Sequence, residues 1–430
     1  MYSFNQAGFV NSERRTQSSG ARFAKHRDGK RLAILAGRVT ILHDDRSGWA
    51  RDLFPSELLM ITRSLFVFVL MMLPGSTLRA ADPPEFRLLY VAEPGIRNYL
   101  EYGGHGILVY DIDNGHKLLR RIKLSGIDPK TGKPENVKGI CASAKTSRLY
   151  VSTIRTLTCI DLFTDDILWE KEYEGGCDRM SMSPDGSTIY LPSFEKDHWH
   201  VVDAKDGHVI AKVEPRSGAH NTVYGIDGKF VYLAGLRSPI LTVSDTTTHK
   251  AARTIGPFSA AIRPFTVNGK QTYAFVNVNG LLGFEVGDIT AGRMIHRVEV
   301  DGFKQGPVKR HGCPSHGIGL TPDETELWVT DSFNHRLHIF DATMMPPKYK
   351  QDLTVCDEPG WITFTIRGDY AYPSTGEVID VHLKKVDAIL KDEKGEPIQS
   401  EKMVEIDFQG TRGKTPVDAG DQFGIGRVTK

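Results

Sequence analysis

One pattern recurs seven times along this chain and governs what it can fold into. The segments SMSPDGSTIYLPS (181–193), YGIDGKFVYLAG (224–235), FTVNGKQTYAFVN (265–277), GLTPDETELWVTD (319–331) and FTIRGDYAYPST (364–375) share one plan. An alternating strand meets a tight polar turn, and a second strand follows that carries an aromatic residue. Asp-Gly and Asn-Gly pairs suit such hairpins because Gly and Asn tolerate positive φ. With two further members the anchors are Tyr90, Tyr150, Tyr190, Tyr232, Tyr273, Trp328 and Tyr372, spaced by 60, 40, 42, 41, 55 and 44 residues. A third strand follows each anchor and usually ends in apolar-Asp, as in Tyr110-Asp111, Ile160-Asp161, Val202-Asp203, Phe340-Asp341 and Ile379-Asp380. A fourth comes next, as in HKLLRRIKL (116–124), GHVIAKVEP (207–215) and MIHRVEV (294–300).

Four short strands repeating at about forty residues are the sequence signature of a β-propeller blade. Period-two alternation, with turns every eight residues or so, excludes a helical repeat. A plain β-sandwich leaves seven regular anchors unexplained. The expected fold is therefore all-β: a seven-bladed propeller of four-stranded antiparallel blades, spanning residues 82–410, with 411–430 as a C-terminal tail. Blade 1 begins at its second strand, FRLLYVAEP (86–94), and lacks a local innermost strand. The alternating run EKMVEIDF (401–408) is the candidate to fill that place and close the ring, which removes the open sheet edges. The same run is also compatible with the last blade.

Composition excludes several classes. Of 430 residues, 40% are hydrophobic and 25% charged, which rules out wholesale disorder, collagen and a polytopic membrane protein. The longest apolar run, LFVFVLMML (65–73), has nine residues, too few to span a bilayer. With Arg63 before it, Pro74-Gly75 after it and the small pair Ala80-Ala81 beyond, it reads as a secretory signal core within 60–81. Met60 stands directly before this segment, so translation is expected to start there and residues 1–59 to be a mis-assigned start; the alternative is that they form a disordered leader. The net charge of the whole chain is +1, but residues 1–81 carry twelve Lys/Arg against six Asp/Glu, which leaves −5 for the remainder. That balance argues against a nucleic-acid partner. No stable transmembrane anchor is expected, and the location is expected to be periplasmic or secreted.

The segments RLYVST (148–153), TIYLPS (188–193), the SPDG turn (183–186) and ELWVTDSFNHRLHIFD (326–341) resemble repeats of the YVTN family of bacterial propellers. The resemblance covers roughly residues 85–390. It implies a seven-bladed ring and export, within a wider group that includes the heavy chain of amine dehydrogenases. It carries over no catalytic residues, because the matching positions build blades.

Insertions single out one face. In a four-stranded blade the loop entering strand one and the loop joining strands two and three lie together. The extra segments 94–106, 125–136, 194–199 and 301–313 all fall there. Loops on a rigid scaffold are where function concentrates. At the strand-one entrances of this face stand Asp178, Arg179, His220, Asn221, Arg263, His311, His316 and Trp361, with His105 contributed by the blade 1 insertion. Converging His and Arg suit an anionic ligand, a metal or a proton-transfer site. Entrance residues of a wet funnel also simply bond backbone carbonyls, and both readings stand side by side at this point.

Familiar catalytic motifs are missing. CPSH (313–316) lacks the second Cys of a haem attachment, and there is no H-E-x-x-H, G-x-S-x-G, P-loop or dinucleotide fingerprint. The sequence therefore names no cofactor and assigns no metal. DHWH (197–200) and NHRLH (334–338) offer alternating His without an identifiable third ligand. The five cysteines leave at least one unpaired; Cys313 with Cys356, or Cys141 with Cys177, are the pairs that entrance positions bring to neighbouring blades. Two functional readings remain. One is an exported module binding a small anionic ligand or an envelope protein through the inserted face. The other is a propeller enzyme, an oxidoreductase subunit or a His-dependent hydrolase or lyase. Mass spectrometry of the native protein tests the leader assignment: no peptide from residues 1–59 is expected, and finding one refutes a start at Met60.

Overall fold

The anchor aromatics each sit on the second strand of a blade in the computed structural model, which describes residues 86–410 and 415–430. The assigned leader and signal segment lie outside the described residues. Seven antiparallel sheets account for the ring, six of four strands and one of five. Among the described residues no helix is long and apolar enough to cross a membrane.

What the anchors do is visible in their hydroxyls. Tyr150 donates to Ala204 O at 2.8 Å, Tyr190 meets His249 Nδ1 at 2.8 Å, Tyr232 donates to Gln271 Oε1 at 3.1 Å, and Tyr372 meets His116 Nε2 at 2.8 Å. Each bond reaches from one blade into the next. Trp328 replaces the hydroxyl with an edge-to-face contact on Phe364 of blade 7, at 5.6 Å between ring centroids. An aromatic with a polar tip thus supplies both apolar area and an inter-blade fastening. Burial clusters confirm the arrangement, since each joins strands of adjacent blades, such as Tyr190, Trp199 and Val201 with Val231 and Leu233.

The recurring Asp at the end of strand three is a turn cap. Asp161 accepts from the amides of Phe163 and Thr164, Asp245 from Thr247 and Thr248, and Asp380 from His382 and Leu383. A short carboxylate that bonds the backbone two residues on fixes the hairpin into strand four. The hairpin glycines behave as expected at Gly186, Gly228 and Gly368, with φ of 75, 73 and 78°. At 268–271 the left-handed residue is Gln271 (φ 54°) instead of Gly269. Gly269 is small for another reason: a Cβ there would lie 2.7 Å from the backbone N and O of Val428.

Ring closure follows the expected route. Strand Met403–Gln409 pairs antiparallel with Phe86–Glu93, from Phe86↔Phe408 to Val91↔Met403, and becomes the innermost regular strand of blade 1. Val404, Ile406 and Phe408 enter the core shared with blade 2. Residues 415–430, within the expected C-terminal tail, pack into the ring. Thr415–Ala419 adds a fifth strand to blade 1, and residues 420–428 run through the channel. There Gln422 accepts from the Ile140 amide and donates to Met180 O, while Gly424 O accepts from the Leu320 amide and the Thr266 hydroxyl. The segment ties together the inner strands of blades 2, 3, 5 and 6.

All five cysteines are unpaired thiols. Neither disulfide considered from the sequence forms; Cys177 donates to Arg155 O and Cys313 to Ser315 O instead.

Large-to-small changes at buried aliphatic and aromatic positions cost about 2–5 kcal/mol each, against a total stability of about 5–15 kcal/mol. Removing the three core side chains of the closing strand therefore exceeds what the ring can lose. Deletion of residues 400–430 is expected to abolish the cooperative melting transition, whereas deletion of 424–430 lowers the midpoint and keeps the transition. A soluble 400–430 deletion with unchanged melting refutes closure by this strand.

Candidate functional site

Each of the seven blades sends one entrance to the same cup on the inserted face. Glu401 and Lys402 precede the closing strand of blade 1. Lys138 lies on Val137–Ser143 of blade 2, and Asp178-Arg179 precede Ser181–Met182 of blade 3. His220 lies on Ala219–Tyr224, Arg263 on Ile262–Val267, His316 before Ile318–Leu320, and Trp361 before Ile362–Phe364. Lys138, Arg179, His220, Arg263, His316, Glu401 and Lys402 line a cavity of about 290 Å³, with Asp178 and Trp361 behind them, and the four insertions supply Gly95, Arg97, Asn136, Phe194, Glu195, Arg310 and His311 to its wall.

A chain of hydrogen-bonded charges crosses the bottom. Asp178 Oδ2 lies 2.6 Å from His220 Nδ1, and His220 Nε2 accepts from Arg179 Nη1 at 2.9 Å. Arg179 Nη2 then reaches Glu401 Oε2, which also accepts from Lys402 Nζ at 2.7 Å. Glu401 Oε1 faces His311 Nδ1 at 2.9 Å. Lys138 Nζ approaches Asp178 Oδ1 at 3.4 Å from the blade 2 side.

Burial alone pushes every one of these groups toward neutrality, and the partners decide the outcome. Burial raises Asp178, but His220, Lys138 and Arg179 outweigh it and hold the carboxyl at about 2. For His220, burial wins over Asp178 and Arg179 adds to it, so the imidazole drops to about 4. Glu401 is held well below the carboxylate range despite burial, by Lys402 and Arg179. Lys402 is pushed down to about 7 by burial and Arg179, against the pull of Glu401. His316 is pushed well below its usual value by burial, which outweighs Glu401, with His311 and Arg179 adding to it.

Trp361 backs the cationic side of the cup. Arg179 Cζ lies 4.8 Å from its ring centroid and Lys402 Nζ 5.7 Å, within cation–π range. Its indole N–H donates to Gln422 O, and Phe423 packs against it at 5.8 Å. The C-terminal segment thereby supports the cup from below. A second cavity, also about 290 Å³, opens beside that segment and is lined by Met180, Tyr224 and Phe423 among others. Its charged lining is Lys145, Asp418, Asp421 and Arg427, and it contains no histidine.

Of the residues singled out from the sequence, Asp178, Arg179, His220, Arg263, His311, His316 and Trp361 come together here. Asn221 is fully buried next to His220, its amide N and O without a hydrogen-bond partner among the described residues. His105 does not join them. It ends the insertion between strands two and three, farther from the axis, and bonds Ser125 O at 3.0 Å. His198 and His200 bond each other and Glu174 O, and His338 bonds Asp331, so neither alternating-His segment reaches the cup. Sequence reasoning missed Lys138, Arg310, Glu401 and Lys402. The signal for the last two was present: they stand at the entrance of the run assigned to close the ring.

Neither a protein-family model nor a curated protein sequence matches the chain. Among solved structures, a chain of the "Crystal Structure of Mitotic Checkpoint Complex" matches at TM-score 0.53 and 12% identity, over 77% of this chain and 96% of that one. A chain of the Kuenenia stuttgartiensis hydrazine synthase matches at TM-score 0.41 and 14% identity, over 62% and 99%. The chain is thus a seven-bladed β-propeller, defined by its fold, with a charged cup at one end of the channel.

Removing one partner from a buried ion pair strands the other and costs about 3–5 kcal/mol. Asp178→Asn is expected to lose that much in denaturant unfolding at pH 7, because Lys138 and Arg179 lose their balancing charge. The stability that Asp178 contributes is present above its unfolded value near 4 and is lost as pH falls through about 2. The gap between wild type and variant should therefore close over that interval. A gap unchanged down to pH 2 refutes the assignment.

Proposed function

We propose that this chain is an exported propeller that binds a small organic oxyanion, bearing a carboxylate or phosphate group, in the cup. Six basic side chains line the cavity (Arg97, Lys138, Arg179, Arg263, Arg310 and Lys402) against two carboxylates, Glu195 and Glu401. The observation that carries the reading is that two of these guanidinium groups have no acidic partner among the described residues. Arg263 donates to Asn279 Oδ1 at 2.5 Å and weakly to Gly312 O at 3.4 Å. Among the described residues, Arg97 donates to Arg310 O alone, at 2.8 Å. Planar guanidinium forks without a carboxylate match an incoming oxyanion. The size of the cavity favours a small ligand over a protein segment. Export is supported by the signal-like run at 65–73 and by the resemblance to YVTN repeats.

Against His220 as the base of a His-dependent hydrolase or lyase weighs its hydrogen bonding. Its Nδ1 is taken by Asp178 and its Nε2 by Arg179, which leaves no free nitrogen to act as a base.

Calorimetric titration of the purified protein with citrate, succinate and inorganic phosphate at low ionic strength tests the reading. Saturable binding at one site is expected for at least one anion, weakening as salt screens the cup. A hydrogen bond to a charged group contributes about 1.5–3 kcal/mol, so Arg263→Ala should weaken binding by roughly 10- to 150-fold. Absence of heat with all three anions, or affinity unaltered in the Arg97→Ala/Arg263→Ala double variant, refutes it.

A further inference from the structure

We infer that His311, His316 and Glu401 form a binding site for one divalent transition-metal ion at the bottom of the cup. One ligand atom from each residue lies within 4.8 Å of the other two, and all three residues are buried. Proximity alone is not the argument. Each imidazole has one nitrogen committed to a backbone carbonyl: His311 Nε2 to Glu358 O at 3.1 Å and His316 Nδ1 to Gly360 O at 2.8 Å. Those carbonyls belong to one short stretch, Glu358–Gly360. It is kept tight by Gly360, where a Cβ would lie 2.1 Å from His311 Cε1. A carbonyl that takes one N–H fixes the tautomer and leaves the other nitrogen's lone pair for a metal. The nitrogens left over are His311 Nδ1 and His316 Nε2.

Glu401 completes the set. Its Oε2 is held by Arg179 and Lys402, so the carboxylate is fixed in orientation and presents Oε1. Opposite that oxygen, 2.9 Å away, stands His311 Nδ1. With His311 Nε2 donating to Glu358 O, a neutral ring places a lone pair against a carboxylate oxygen. Such a contact is repulsive until a cation lies between the two atoms. Metal–nitrogen and metal–oxygen bonds of about 2.0–2.2 Å put neighbouring ligand atoms close to this separation. Two imidazoles and one carboxylate suit borderline ions such as Zn²⁺, Co²⁺ or Fe²⁺ rather than Mg²⁺ or Ca²⁺. A proton between His311 and Glu401 is the competing occupant, and the experiment separates the two.

Full-length protein stripped with chelator is dialysed against micromolar Co²⁺ or Zn²⁺ in chloride buffer without oxyanions, so that the outcome is independent of the anion reading. One equivalent of metal per chain is expected, with Co²⁺ showing ligand-field absorption of a nitrogen–oxygen site. His316→Ala should lose affinity beyond the roughly 10–100-fold that losing a supporting hydrogen bond costs. His316→Gln serves as a second variant, and matched metal-free melting curves show that the fold is kept. His208→Ala, in the exposed Asp203/Asp206/His208 turn, should bind as wild type does. Substoichiometric metal without ligand-field bands in the wild type, or unaltered binding in folded His316 variants, overturns the site and leaves the proton between His311 and Glu401.

Discussion

Everything distinctive about this propeller depends on the pairing of Met403–Gln409 with Phe86–Glu93. It joins the two ends of the ring, and its direction decides what else happens. The chain must enter the innermost strand from the inserted face, so the residues just before it arrive at the mouth of the channel. Those residues are Glu401 and Lys402. Leaving the strand at the opposite face, the chain turns back through Thr415–Ala419 and fills the channel to the underside of Trp361. One strand therefore closes the ring, delivers the central acid–base pair of the cup and positions the segment that floors it.

The cup illustrates how a ring tolerates buried charge. Taking ions out of water is costly unless each is paired and hydrogen-bonded. Here Asp178 answers Lys138, His220 and Arg179, and Glu401 answers Arg179, Lys402 and His311. His220 is neutral and serves as a spacer, accepting from Arg179 while donating to Asp178. Blades 1 and 3 each bring an acid and a base, and the network is completed by Lys138, His220 and His311 from other blades. The positive excess sits higher, on Arg97 and Arg263 at the wall.

The blade plan was legible because it is local and repeated. An aromatic at fixed spacing, a turn rich in Gly or Asn and an Asp ending strand three each have a near-neighbour physical cause. The closing strand was legible as well, from the missing inner strand of blade 1. The candidate site was half legible: a rule about strand-one entrances reached Arg179, His220, Arg263, His311, His316 and Trp361. It was not applied to the closing run, where Glu401 and Lys402 stand. His105 was drawn in by sequence proximity to an insertion, although the far end of such a loop returns to an outer strand. The channel segment was not legible, because Gln422 and Gly424 bond single backbone and side-chain groups scattered over several blades and leave no periodic mark.

The account is tested most directly by diffraction from crystals soaked in selenate, with anomalous data collected at the selenium edge. An anomalous peak inside the cup, within hydrogen-bonding distance of Arg263 and facing Lys138 and Arg97, is the predicted result. Peaks confined to surface lysines, with the cup holding only water, contradict the claim that its unpaired guanidinium groups are there to receive an anion.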